Sequence, residues 1–116
     1  MSESEFLLLA DATLSAIEAA LDQPATLAAV DVECSRSGNV LEIEFIDTGS
    51  KIIVNSQAPM HEMWVAAKSG GFHYRHDGQH WRNTRDGSEL FAALSVMVGE
   101  QGGTPVTLGD SAMPRS

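Results

Sequence analysis

Between Asn55 and Trp81 the chain reads NSQAPMHEMWVAAKSGGFHYRHDGQHW, and no other stretch restricts the fold as much. It holds both tryptophans, all four histidines and the single tyrosine. Apolar and polar residues alternate on either side of Asp77-Gly78, a dipeptide suited to a two-residue type I′ turn, so a β-hairpin is expected. With that turn Tyr74 lies opposite Trp81 and His73 opposite Arg82. The aromatic pair shares one face, and His73, Arg75, His80 and Arg82 share the other. Pro59 bars a continuous central strand before Trp64. A new short strand, MWVAAK, then points Trp64 away from Met63 and Val65, onto the polar side of a sheet. A tryptophan exposed among Asn55, Gln57 and Lys68 has the composition of an interface hot spot. The bland alternative is an indole folded over its own sheet.

The flanking segments supply the rest of a fold. Residues 3–22 have helical periodicity, with Ser2 and Glu5 forming a capping box and Phe6, Leu9, Ala10, Thr13, Leu14, Ile17 and Leu21 the buried stripe. Pro24 closes this helix, and QPATLAA reads as a linker. Residues 30–35, 40–46 and 51–56 alternate as strands, separated by turns at Ser37-Gly38-Asn39 and Asp47-Thr48-Gly49. Gly70-Gly71 is expected to break the chain before the hairpin, and Thr84–Gly87 to turn it afterwards. Residues 88–100 form a second helix, capped by Ser88. Val106–Leu108 is apolar enough to dock on the domain, and the sequence leaves open whether it does. Helix, antiparallel strands, helix predicts an α+β two-layer sandwich, with both helices on one face of an antiparallel sheet.

At 116 residues and 43% hydrophobic content, a single domain over 1–108 is expected, with 109–116 a disordered tail. One cysteine excludes an internal disulfide framework and a Cys-rich zinc site. The N-terminus is acidic and Asp11 interrupts LLLADATL, so no signal peptide is expected, and no apolar run is long enough to span a bilayer. A cytoplasmic monomer is the expectation. The net charge of −9 argues against nucleic acid and anionic membranes as partners. The charge is uneven: residues 1–50 carry ten acids and one base, Arg36, whereas 51–116 carry six of each. The acidic half is a candidate surface for cations or a basic protein, or simply a solvated face.

No G-x-S-x-G, P-loop, G-x-G-x-x-G or H-E-x-x-H motif is present, so no catalytic residues are assigned and no enzyme activity is expected. His73, His76 and His80 have ligand-like spacing, but Arg75 and Arg82 beside them would repel a divalent ion, which favours solvated surface histidines. The carboxylates are better metal candidates. Glu18 and Asp22 lie one helical turn apart, and Asp31 and Glu33 share one face of a strand. Side by side they would form an open ridge, suited to weak, exchangeable binding of a hard cation. Cys34 alternates with the acids and reads as a small buried hydrophobe.

Several stretches together resemble the bacterial frataxin family. They are Ser4-Glu5-Phe6 and Leu9-Ala10-Asp11 in the first helix, Gly49-Ser50-Lys51-Ile52-Ile53-Val54-Asn55 leading to Gln57-x-Pro59 and Trp64, Lys68-x-Gly70-Gly71-Phe72-His73, and Trp81 followed by Asp86-Gly87. The likeness spans roughly residues 4–108. It implies the α+β sandwich argued above and a role in iron–sulfur cluster assembly. It also implies contacts with the cysteine desulfurase and the scaffold protein, and weak surface binding of iron (Fe2+/Fe3+). Carried over residue by residue, the resemblance makes Glu18, Asp22, Asp31 and Glu33, with Asp11, the iron ridge. Asn55, Gln57 and Trp64 become the partner-facing set.

The chain departs from this pattern where bacterial frataxins carry a dense acidic run between the first helix and first strand. Here Ala19, Ala20, Gln23, Ala25, Leu27, Ala28 and Ala29 occupy that segment. Each missing carboxylate removes Coulomb attraction for Fe2+ and for a basic partner, so weaker iron binding is expected and no storage role. The leading expectation is a regulator that docks on the assembly machinery. The alternatives are an iron chaperone or ferroxidase, which oxygen uptake on Fe2+ addition would reveal, and an interaction domain without metal function.

Overall fold

The computed structural model describes residues 1–109; all but Gly109 of the expected tail lies outside the described residues. Helix α1 runs over Glu3–Leu21 and begins where the capping box predicts. The Ser2 hydroxyl accepts from the Glu5 N–H and the Glu5 carboxylate accepts from the Ser2 N–H, each at 3.1 Å. Phe6, Ala10, Thr13, Leu14, Ile17 and Leu21 are buried along one stripe, with Leu9 half-buried at its edge.

Six strands follow: β1 Val32–Ser37, β2 Val40–Phe45, β3 Lys51–Gln57, β4 Glu62–Ala67, β5 Gly70–His76 and β6 Trp81–Asn83. Each pairs antiparallel with its sequence neighbours, giving one meander in the order β1-β2-β3-β4-β5-β6. Leu41, Ile43, Phe45, Ile52, Val54, Met63, Val65, Tyr74 and Trp81 face α1 and the C-terminal helix α3 (Leu90–Gly102). The alternate positions form an outer face. Trp81 ties the layers together: its indole N–H donates at 2.9 Å to the Thr13 hydroxyl, which itself donates at 2.7 Å to the Leu9 carbonyl. Burial of that ring therefore leaves no orphaned donor. Leu108, whose docking the sequence leaves open, does dock: it is 3% exposed, with its N–H on the Ser95 hydroxyl at 2.8 Å.

The hairpin register differs from the expected one. The loop between β5 and β6 holds four residues rather than two, so Tyr74 faces Asn83, Arg75 faces Arg82 and His76 faces Trp81. The cause is the Asp77 carboxylate, which accepts from the N–H groups of Gln79 and His80 at 2.9 and 2.8 Å and closes a wider turn. A shift of two residues leaves every strand side chain on its own face. Tyr74 and Trp81 therefore stay buried and Arg75 and Arg82 stay outside, while His80 moves from the strand into the loop.

Four smaller expectations are also corrected. QPATLAA is not an extended linker: Pro24–Ala29 forms a short helix, α2, with Pro24 at a first-turn position that lacks an N–H partner in any helix. Helix α3 is capped by Glu89, not Ser88. The Glu89 carboxylate accepts from the N–H groups of Phe91 and Ala92, whereas the Ser88 hydroxyl is turned onto Asp86. The β4–β5 turn is Lys68-Ser69, and Gly70-Gly71 begins β5. Cys34 is half-buried rather than in the core, because edge strand β1 is covered incompletely by α1 and α2.

Gly102 marks a close approach of α3 to Val30, the residue that ends α2. A Cβ there would meet Val30 Cβ at 3.0 Å and its Cγ1 closer still. Alanine normally favours a helix over glycine by about 1 kcal/mol. Here Gly102→Ala is expected to destabilise the fold by about 1–3 kcal/mol, because overpacking outweighs propensity. Urea denaturation checks the sign; a stabilised variant would contradict this packing.

Candidate functional site

The outer face of the sheet is organised in rows set by strand register. Asn55 stands opposite Trp64, and Trp64 opposite His73. In the next row Gln57 stands opposite Glu62, Glu62 opposite Arg75, and Arg75 opposite Arg82. The three residues singled out as partner-facing, Asn55, Gln57 and Trp64, thus lie together on one patch, and the Gln57 amide donates to the Asn55 carbonyl oxygen at 2.6 Å. Pro59 sits in a 3-10 turn, Ala58–Met60, followed by His61 in the left-handed region at φ 51°. His61 stacks on Phe6 of α1 at 5.0 Å, so this corner is fastened to the helix layer.

Trp64 is half-buried rather than standing free. Its ring lies flat against His73, with centroids 4.3 Å apart and planes 6° from parallel. Its indole N–H donates to Glu62 at 2.9 Å. Glu62 is the residue that sequence reasoning missed. It is 4% exposed although it lies on the outer face, and its second oxygen accepts from Arg75 Nε at 2.8 Å. Burial pushes this carboxyl up, but the hydrogen bonds from Trp64 and Arg75, with the guanidinium charge and His73 nearby, hold it below the ordinary glutamate value. The signal was present in the sequence: Glu62 and Trp64 are two apart on one strand, and an acid opposite an arginine completes the row once β4 is paired with β5.

The acidic ridge takes shape only in part. Glu18, Asp22 and Glu33 border a groove between the C-terminal end of α1, α2 and β1, with Cys34 beside them. Asp31 precedes β1 and is exposed outside that groove. Asp11 lies nearly two turns up the helix from Glu18, and both are engaged by Arg36. Arg36 projects from β1 onto α1: it forms an ion pair with Asp11, donates to the Ser15 hydroxyl at 2.9 Å and lies 3.7 Å from Glu18. The single base in the first fifty residues therefore lies against two of the acids named for the ridge. Among the described residues no three His, Cys, Asp or Glu side chains converge in metal-holding geometry. The histidines do not gather as a set of three either: His61 is on Phe6, His73 on Trp64, and His76 against Trp81 with His80 near it.

Among the described residues no helix is long and apolar enough to cross a membrane. A meander with helices on one face, an amide–tryptophan row on the other and acids along its first edge defines a frataxin-like protein. The comparisons agree. A family model described as a frataxin-like domain matches residues 1–104, and the chain belongs to that family. It is 69% identical to the iron–sulfur cluster assembly protein CyaY of Janthinobacterium sp. (strain Marseille), over 96% of this chain and 99% of that protein. Against the protein of the same name from Herminiimonas arsenicoxydans it is 67% identical, with the same shares covered. A solved frataxin from Psychromonas ingrahamii superposes with a TM-score of 0.83 at 31% identity, covering 94% of this chain and 99% of that one.

The groove makes a prediction about Cys34. Burial, then the carboxylates of Glu18 and Asp22, push its thiol up to about 11. Alkylation by iodoacetamide should be slow at neutral pH and rise with a midpoint near 11. Glu18→Gln/Asp22→Asn should move the midpoint down. A midpoint unchanged by that double substitution would remove both carboxylates from the thiol's surroundings.

Proposed function

We propose that this protein is a non-enzymatic regulator of iron–sulfur cluster assembly that docks through its outer sheet face on the cysteine desulfurase and its scaffold protein. The observation that carries this reading is Trp64, held in a fixed orientation on an open sheet face beside Asn55 and Gln57. An aromatic side chain already ordered, with amides at its rim, has the anatomy of an interface anchor. The names of the relatives, iron–sulfur cluster assembly proteins, supply the process.

Iron enters as cargo or modulator, at the ridge of Glu18, Asp22, Asp31 and Glu33, with Asp11 at its far end. Open carboxylates suit a hydrated Fe2+ held weakly and exchangeably. Because Arg36 pairs with Asp11 and lies 3.7 Å from Glu18, its charge opposes a cation at that end, and the ion would meet the Asp22–Glu33 end first. A chaperone or ferroxidase role would need donors to converge on the metal, and these acids are spread along an edge.

The test is cluster assembly on purified scaffold with its desulfurase, over a range of Fe2+, with and without this protein. The rate should change in an iron-dependent way. Trp64→Ala should weaken the effect by about tenfold or more in concentration, the size expected of a hot spot. Arg36→Gln, which frees two carboxylates, should shift the response to lower Fe2+ by a few-fold. No change in rate at any iron level would overturn the reading.

A further inference from the structure

Glu62 is a buried carboxylate on the face of a sheet that should be wet. A carboxylate is withdrawn from water only when both oxygens find strong partners. Here they do. One oxygen takes the Trp64 indole N–H at 2.9 Å and lies 3.5 Å from His73 Nδ1; the other takes Arg75 Nε at 2.8 Å. We propose that Glu62 is the positioning residue of the outer face, pinning Trp64 and Arg75 together so that Trp64 and His73 form one preformed flat platform for the partner. This rests on the reading of that face as a docking surface and names what makes it ready to dock.

The geometry follows from where Glu62 sits. It is the first residue of β4, directly after the left-handed His61, at a corner fastened to α1 through the His61–Phe6 stack. Trp64 is two residues on, and its side chain leaves the same face. To reach Glu62 the indole must lie back along its own strand instead of standing out. In that position its face meets His73, the residue directly across on β5, and the rings stack. A tryptophan with no partner for its N–H would sample several rotamers, and docking would have to freeze one of them.

Arg75 explains why the group is a carboxylate rather than an amide. Arg75 faces Arg82 across β5 and β6, and like charges placed directly opposite repel. Arg82 leans on Asp77 at 3.3 Å and on the Gly87 carbonyl at 3.4 Å, so Glu62 supplies the counter-charge for Arg75. Among the described residues only Nε of Arg75 is engaged, and the side chain is 64% exposed. Its terminal nitrogens therefore remain free beside the platform, suited to a partner group that lays a flat surface on the rings and brings a hydrogen-bond acceptor to the guanidinium. Glutamine at position 62 has one acceptor oxygen and one amide donor. It can satisfy the guanidinium or the indole but not both, and the charged donor takes the oxygen.

The experiment compares Glu62→Gln, Trp64→Phe and the double variant in the full chain. The first readout is solvent exchange of the two indole N–H groups by NMR. Trp81, bonded to buried Thr13, is the internal reference. Glu62→Gln should speed exchange at Trp64 by at least about tenfold and leave Trp81 unchanged. The second readout is affinity for the purified desulfurase–scaffold complex. Each single substitution should weaken it by about three- to tenfold, and the double variant no further, since both cut the same pin. Unchanged Trp64 exchange, or faster exchange with unchanged affinity, overturns the proposal. Additive losses in the double variant also overturn it. If Trp64→Ala leaves affinity intact as well, the docking reading itself has failed; if Trp64→Ala weakens binding and Glu62→Gln does not, only the positioning role has. Trp64→Phe leaves Glu62 and Arg75 in place, so the test survives a poorly folded Glu62→Gln.

Discussion

Every strand side chain in this protein is assigned its face by the pleat of one sheet whose strands pair only with their sequence neighbours. Two of its consequences are visible at once. Alternation sends Met63, Val65, Tyr74 and Trp81 into the helix layer and leaves Glu62, Trp64, His73 and Arg75 outside. Neighbour-only pairing then sets those outer residues into rows, so groups far apart in sequence become cross-strand partners with no further machinery. The helices hold that sheet in place from one side, through the Trp81–Thr13 hydrogen bond and the seating of α3 at Gly102. The outer face is thereby left uncovered by either helix.

The same rule explains what could be read from the sequence. Face assignments come from a period of two and survive errors in register, which is why Trp64 was placed on the polar side although the hairpin pairs were wrong. The pairs depend on loop length, and that was set by the Asp77 side chain bonding to Gln79 and His80, a local contest that the Asp77-Gly78 dipeptide does not announce. Glu62 was overlooked for a related reason. Its burial comes from Trp64, His73 and Arg75 around it, and only the β4–β5 register gathers them. Helix α2 was hidden by a proline that ends one helix and begins the next.

The ridge shows the limit of counting charges. Ten acids against one base in the first fifty residues suggest an unopposed cation surface. Placed on β1 beside α1, the one base reaches two of the acids named for the ridge. Between Asp22 and Asp31 the connecting segment, with helix α2 in it, contributes no carboxylates. What remains is the Asp22–Glu33 end beside a thiol kept protonated by its burial first and by nearby carboxylates second. Weak attraction for a hydrated ion is the behaviour such a surface supports, and the outer sheet face becomes the more specific feature of the molecule.

The central claim is that the partner sits on that outer face. Ala66 lies on it, two residues from Trp64, and Val96 stands 62% exposed on α3, on the opposite side of the molecule. The direct measurement places a photo-reactive amino acid at either position and irradiates the chain with the purified desulfurase–scaffold complex. Cross-links from position 66 and none from position 96 are the predicted result. Cross-links from position 96 alone would put the partner on the helix layer and contradict the account.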